Sequence, residues 1–123
     1  MLIPKLAQSQ AEKLFVLDYG LFKVHSNGRI IGICGFLIKT SNGMSILVDT
    51  GFPAKYAVDK EAASREDRLT EFGEVLTLTT DNLPAAQLAL CGLRTSDIDV
   101  LVTTHSHIDH VGGLHDFCHA PMV

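Results

Sequence analysis

An Asn-Gly pair between two apolar runs constrains this chain more than any other local feature. Ser41-Asn42-Gly43 separates Phe36-Leu37-Ile38 from Ile46-Leu47-Val48, and Asn-Gly supplies the positive φ angles that a tight hairpin demands. The two runs are therefore predicted as paired antiparallel strands. Upstream, residues 16–25 and 30–40 are rich in aliphatic and aromatic side chains, and Gly20 and Asn27-Gly28 punctuate them as turns between strands would. The chain thus starts as a β-meander. The second hairpin strand ends at Asp49-Thr50-Gly51, and Pro53 takes the chain out of the sheet.

Beyond that point the pattern changes. Residues 59–74 alternate six acids with three bases, which reads as a solvated loop with a helical turn. Asn82 or Asp81 caps a predicted helix in which Pro84 occupies the first turn, Leu83, Ala86 and Leu90 share a face, and Gly92 ends it. Ile98, Val100, Leu101 and Val102 form an apolar run of the kind found in a sheet covered on both faces. Strands with one or two helices make the fold class α/β, and 123 residues give one domain, residues 1–123, with no room for a second core.

Composition removes several function classes. Ten Lys plus Arg against fourteen Asp plus Glu leave a net charge of -4, so no basic surface exists to attract nucleic acid. No apolar run approaches the roughly 18 residues of a membrane helix. Met1-Leu2-Ile3-Pro4-Lys5 lacks the charged start and apolar middle of a leader; the expected location is cytoplasmic. Cys34, Cys91 and Cys118 are an odd number without C-x-x-C spacing, which predicts reduced, mostly buried thiols rather than a disulfide framework or a cysteine zinc site. The apolar fraction, 46%, is high for so short a chain, and some surface is expected to need a partner.

The chemistry sits in Thr103-Thr104-His105-Ser106-His107-Ile108-Asp109-His110-Val111-Gly112-Gly113. With six His and nine Asp in the chain, H-x-H-x-D-H arises by chance about one time in a thousand. In an extended backbone alternate residues point to one side, so His105, His107 and Asp109 converge while His110 reaches a neighbouring point after the chain turns. That geometry suits two adjacent metals. Imidazole nitrogen and carboxylate oxygen are zinc's usual ligands apart from sulfur, and Gly112-Gly113 lets the backbone turn sharply beside them.

H-S-H-I-D-H-V-G-G after an apolar strand, with I-L-V-D-T-G upstream from Ile46 to Gly51, resembles the metallo-β-lactamase superfamily of zinc-dependent hydrolases. The long insertion from Phe52 to about Thr80, the helix near residues 83–93 and Leu114-His115-Asp116-Phe117 after the double glycine are most similar to the N-acyl-homoserine lactonase branch. Ser106 and Ile108 stand where typical lactonases carry Leu and Phe. The resemblance implies the N-terminal half of a four-layered αββα sandwich, mostly β, and the N-terminal part of a dinuclear zinc hydrolase that opens a lactone or a similar ester. By position it implies that His105 and His107 hold the first zinc and that Asp109 and His110 hold the second. Asp109 is then also the candidate to pass a proton to the leaving oxygen. Asp49 resembles the family's strand-end Asp, with the role of orienting the metal loop; a carboxylate accepting backbone bonds at the end of a strand is the other reading.

Two alternatives stay open on the same residues. One is thioester hydrolysis in the glyoxalase II manner, since a metal motif does not choose its substrate. The other is a non-catalytic half-domain that pairs with another chain. The family completes its zinc shells with a further His, a bridging Asp and a last His well downstream, whereas thirteen residues follow His110 here. The chain therefore reads as a fragment of its fold, with partial and pH-sensitive zinc occupancy expected and with self-association or a C-terminal half as the partner. Ala120-Pro121-Met122-Val123 resembles the start of a next strand. His25, His115 and His119 read as surface histidines rather than replacement ligands.

Overall fold

The computed structural model describes residues 9–123, so the reading of the first five residues lies outside the described part. β1 (Ala11–Val24), β2 (Ile30–Thr40), β3 (Ser45–Val48), β4 (Gly73–Thr77) and β5 (Val100–Val102) form one sheet in the order β4-β1-β2-β3-β5. Neighbours are antiparallel except β3 and β5, which run parallel. The segment between β3 and β5 carries α1 (Lys55–Val58), α2 (Lys60–Glu66), β4 and α3 (Pro84–Leu90). The predicted α/β character and the three adjacent apolar strands are both present.

The β2–β3 hairpin forms where predicted, by a different turn. Gly43 alone takes a positive φ, +82°, and Thr40 N–H donates to the Met44 carbonyl at 3.0 Å across three loop residues. A three-residue loop with glycine in the left-handed position is the next most favoured hairpin after the two-residue type. Gly20, expected as a turn, instead lies inside β1, where the register with β2 slips between Asp18 and Leu21. Its φ is +113°, and a Cβ there would lie 2.4 Å from the Thr77 carbonyl. The bulge lets Leu21–Val24 pair with β4 while still pairing with β2. β4 begins in the last two residues of the stretch predicted as solvated loop and runs past it, and α2 is two full turns rather than one.

Alternation fixes what each face of the sheet meets. Leu17, Leu37, Leu47 and Leu101 point to one side and are buried beneath Tyr56, Ala63, Leu88 and Phe117. On the other side Leu14 and Val16 are exposed, and their partners Ile38 and Phe36 are half-buried. The α3 face also differs from expectation. Pro84 and Leu88 are its buried residues while Leu90 is 81% exposed, because the Pro84 ring itself packs inward and carries Leu88, four residues on, with it. Leu83 is the N-cap, without a side-chain cap; Asn82 instead accepts from Thr79 N–H and donates to the Asp18 carbonyl. The thiols are free, but Cys34 and Cys91 are only half-buried and Cys118 is exposed, so the buried placement predicted for them is not found. Among the described residues no helix is long and apolar enough to cross a membrane.

Candidate metal centre

Parallel pairing of β3 with β5, Val48 opposite Val102, brings the C-terminal ends of both strands to one edge of the molecule. Asp49 N–H donates to the Val102 carbonyl at 2.9 Å, which sets Asp49 beside the first residues of the histidine segment. Asp49 has φ +66°, a conformation that side-chain-bearing residues adopt at a cost and that Asp tolerates better than most. It is 3% exposed; its main-chain carbonyl accepts the Tyr19 hydroxyl at 3.0 Å, and every bond its carboxylate accepts comes from the segment opposite. Oδ1 accepts Thr104 N–H at 2.8 Å, while Oδ2 accepts the Thr104 hydroxyl at 2.7 Å and lies 2.7 Å from His110 Nδ1. Asp49 thus accepts a backbone bond at a strand end and also meets a histidine ring.

Burial alone would push the Asp49 carboxyl up; the Thr104 amide, the Thr104 hydroxyl and the His110 ring outweigh it and hold the carboxyl below its ordinary range. Asp49 is therefore an anion at neutral pH. As an acceptor only, it requires the Nδ1 proton of His110, which in the neutral ring leaves Nε2 as the nitrogen open to a metal.

Three of the four motif residues meet directly. His105, His107 and Asp109 place one potential ligand atom each within 4.8 Å of one another. The His105 ring lies 4.6 Å from that of His107 and 3.8 Å from that of His110, centroid to centroid. His110 Nε2 is 3.2 Å from Asp109 Oδ2. The convergence is as predicted, but the backbone is not extended throughout. His107 is the N-cap of a single helical turn, α4 (Ile108–Val111), which carries both Asp109 and His110. The chain turns two residues earlier than alternation suggested, and the turn brings Asp109 back towards His105 and His107.

The donor set fits zinc. It offers imidazole nitrogens and a carboxylate, the ligands that metal takes apart from sulfur. His110 Nε2 and Asp109 Oδ2 stand 3.2 Å apart, close enough for one cation to meet both.

The double glycine serves a different end from the one expected. Gly112 has φ -64° and Gly113 φ -106°, values open to any residue, so backbone freedom is not the requirement. A Cβ on Gly112 would fall 2.1 Å from Pro53 N and 2.2 Å from Phe52 C. Glycine is needed because the loop after β3 passes against it: Gly112 N–H donates to the Gly51 carbonyl at 2.8 Å, and Gly113 N–H to Thr50 Oγ1 at 3.0 Å. Thr50 N–H completes the stitching by donating to the His110 carbonyl at 2.9 Å. Thr50 and Thr104 hold this framework together and carry no mark in the sequence; each stands next to a residue that was singled out, Asp49 and His105.

His25, His115 and His119 are exposed and lie outside the cluster. His119 Nε2 contacts the Ile98 carbonyl at 3.1 Å and His115 Nε2 faces Asp116 at 3.3 Å. The last residues do begin a further strand-like pairing, with Met122 bridging Leu101 in parallel and Thr103 N–H donating to the Val123 carbonyl. Beside the cluster opens a groove of about 490 Å³ walled by Phe22, Ile31, Ile33, Phe52, Leu69 and Phe72, with His107, Ile108 and Asp109 at its edge.

A family model described as the metallo-beta-lactamase superfamily matches residues 35–123. Probable metallo-hydrolases of Mycobacterium tuberculosis and Mycobacterium bovis are each 36% identical over 83 residues, 66% of this chain and 24% of theirs. A solved N-acyl homoserine lactone hydrolase, with N-hexanoyl-L-homoserine bound at its catalytic metal centre, is 26% identical with a TM-score of 0.74 over 92% of this chain and 48% of that one. A Bacillus thuringiensis AiiA mutant with N-decanoyl-L-homoserine at its active site is similar in fold, at 23% identity and a TM-score of 0.74 over 92% and 48% of the two chains. The chain thus spans about a quarter of the length of the curated relatives and about half that of the solved structures.

Proposed function

The chain belongs to the metallo-β-lactamase superfamily, and from that premise we propose that it is part of a cytoplasmic, dinuclear zinc hydrolase that opens an acylated lactone or a similar ester. The observation that carries the reading is that His107 and Asp109, two of the three members of the donor cluster, line a largely apolar, phenylalanine-rich groove. An acyl chain suits such a groove, because burying it removes apolar surface from water on both partners. A carbonyl attached to that chain then lies at the donor cluster.

In this reading His105 and His107 hold one ion, and Asp109 and His110 the other. Bound there, zinc supplies a water of near-neutral pKa and polarises the substrate carbonyl. Asp109, at the groove edge, passes a proton to the leaving oxygen as the ring opens. Asp49 fixes the His110 ring with Nε2 turned outward and ties the histidine segment to the sheet. Phe22, Phe52 and Phe72 exclude water around the acyl chain. A catalytic zinc takes three protein ligands plus water, and this chain offers two donors to each ion. We assign the remaining donors to polypeptide beyond these residues, within the same single domain, or to a second copy of the chain.

The test is hydrolysis of an N-acyl homoserine lactone with added zinc, with bound metal measured alongside, for residues 1–123 alone and for the chain continued as its native reading frame encodes it. Partial zinc and little turnover for the first, with turnover restored in the second, are expected. Two tightly bound zincs and robust turnover by residues 1–123 would overturn the ligand count. Turnover in neither form would discard the lactone and leave thioester hydrolysis and the non-catalytic, pairing half-domain as the readings.

A further inference from the structure

The histidines of the cluster are not equally free. His110 meets Asp49 directly, but His105 does not reach it. Between His105 and Asp49 stands Thr104, whose Oγ1 is 2.7 Å from Asp49 Oδ2 and 2.9 Å from His105 Nδ1. A threonine hydroxyl has one proton to give. Asp49 has none to give in return and accepts at both oxygens, so the hydroxyl proton points at the carboxylate. The contact with His105 must then be made by the ring's own Nδ1–H, which leaves Nε2 as the lone pair. The chain of donors runs His105 Nδ1–H to Thr104 Oγ1–H to Asp49 Oδ2, and on the same oxygen His110 Nδ1–H ends a second chain.

We propose that the Thr104 hydroxyl is a positioning group that carries the influence of Asp49 to His105, so that one buried carboxylate sets the tautomer of a ring at each of the two metal positions. The proposal deepens the metal reading above and rests on it for its purpose, though not for its geometry. A metal ligand's other ring nitrogen is normally held by such a partner, and loss of that partner typically costs about 10–100-fold in metal affinity. Thr104 is suited to the task because its backbone N–H is itself fixed on Asp49 Oδ1 at 2.8 Å. The main chain therefore delivers the hydroxyl to Oδ2 whichever way the exposed His105 ring moves.

The experiment compares wild type, Thr104→Val, which keeps the shape and removes the hydroxyl, and Thr104→Ser, which keeps the hydroxyl. Long-range ¹H–¹⁵N spectra of the metal-free chain report the tautomer of each histidine, and cobalt titration followed by its visible absorption reports affinity. Wild type and Thr104→Ser are expected to hold His105 as the Nδ1–H form. Thr104→Val should move His105 towards the Nε2–H form, leave His110 as it was, and weaken cobalt binding about 10–100-fold. An unchanged His105 tautomer in Thr104→Val overturns the proposal. So does Thr104→Ser behaving like Thr104→Val, and that comparison still decides should the valine variant fail to fold. Cobalt that binds wild type without perturbing the His105 Nε2 resonance defeats the metal reading instead, and the tautomers then decide the proposal by themselves.

Discussion

Asp49 and Thr50 are buried, at 3% and 0% exposure, whereas His105 and His107, which belong to the same site, stand open to solvent. The two sides are built by different means. On the closed side bonds run across the gap between the loop after β3 and the segment after β5, from Asp49, Thr50 and Gly51 to Thr104, His110, Gly112 and Gly113. On the open side the donors meet one another and little else. The difference teaches how a small sheet presents metal ligands. It spends its close packing on the backbone behind them and leaves their lone pairs uncommitted.

Substituting a residue of the closed side should show the larger effect. Gly112→Ala asks for a Cβ where the Pro53 and Phe52 backbones already lie, 2.1 and 2.2 Å away. Since the obstacle is main chain rather than a flexible side-chain tip, the loops must part and release the bonds to Gly51 and Thr50. A loss of about 3 kcal/mol in urea unfolding is expected, at the upper end of the usual cost of overpacking, together with loss of metal binding. Unchanged stability would mean that the two loops are not stitched.

The open side should give the reverse pattern. His107→Ala removes an exposed ring, and stability is expected to stay within about 0.5 kcal/mol of wild type. Zinc affinity should nonetheless fall about 100-fold or more, equivalent to about 2.7 kcal/mol of binding free energy. Measuring both on one preparation sharpens the contrast with Gly112→Ala: one variant keeps the fold and loses the metal, and the other loses both. A His107 variant that bound zinc like wild type would remove His107 from the site.

What the sequence revealed follows the same division. The hairpin at residues 41–43, the apolar β5 and the spacing of His105, His107 and Asp109 are local patterns, and each was read in place. The closed side depends on residues far apart in the chain. Thr104 acts only because Asp49, 55 positions earlier, is folded against it, and no spacing rule marks a threonine beside a histidine. Gly112 was singled out for the wrong reason, since the Pro53 backbone that excludes its side chain is invisible in the sequence. The loop expected over residues 59–74 takes in only the first two residues of β4, and the rest of that strand carries no pattern to mark it, since Val75 is its one fully buried hydrophobic residue. It becomes a strand when the bulge at Gly20 turns the end of β1 to meet it. The helix α3 was located, but its inward face was misjudged because a buried proline set the rotation.

The smallest effect tests whether the open side's wall is held by charge. Asp67, in the wall of the groove, accepts Lys55 Nζ at 2.8 Å and the buried Tyr56 hydroxyl at 2.6 Å. The Lys55 bond, then the Tyr56 bond, pulls the Asp67 carboxyl below its ordinary value against a smaller push from burial. A carboxyl depressed in the folded state stabilises above its unfolded pKa, about 3.9, and that contribution disappears as pH falls through the lower folded value. Asp67→Asn should therefore cost at most about 1 kcal/mol at pH 7, since the Lys55 partner is solvated and screened. The gap from wild type should stay constant down to about pH 5 and close as pH falls through the depressed folded value. Urea unfolding of both proteins across that range is the measurement. A gap that widened towards acid would reverse the sign and show that burial, not the Lys55 and Tyr56 bonds, governs Asp67. A constant gap would leave Asp67 as a neutral packing partner of Tyr56, and the groove wall would then be held by apolar contact alone.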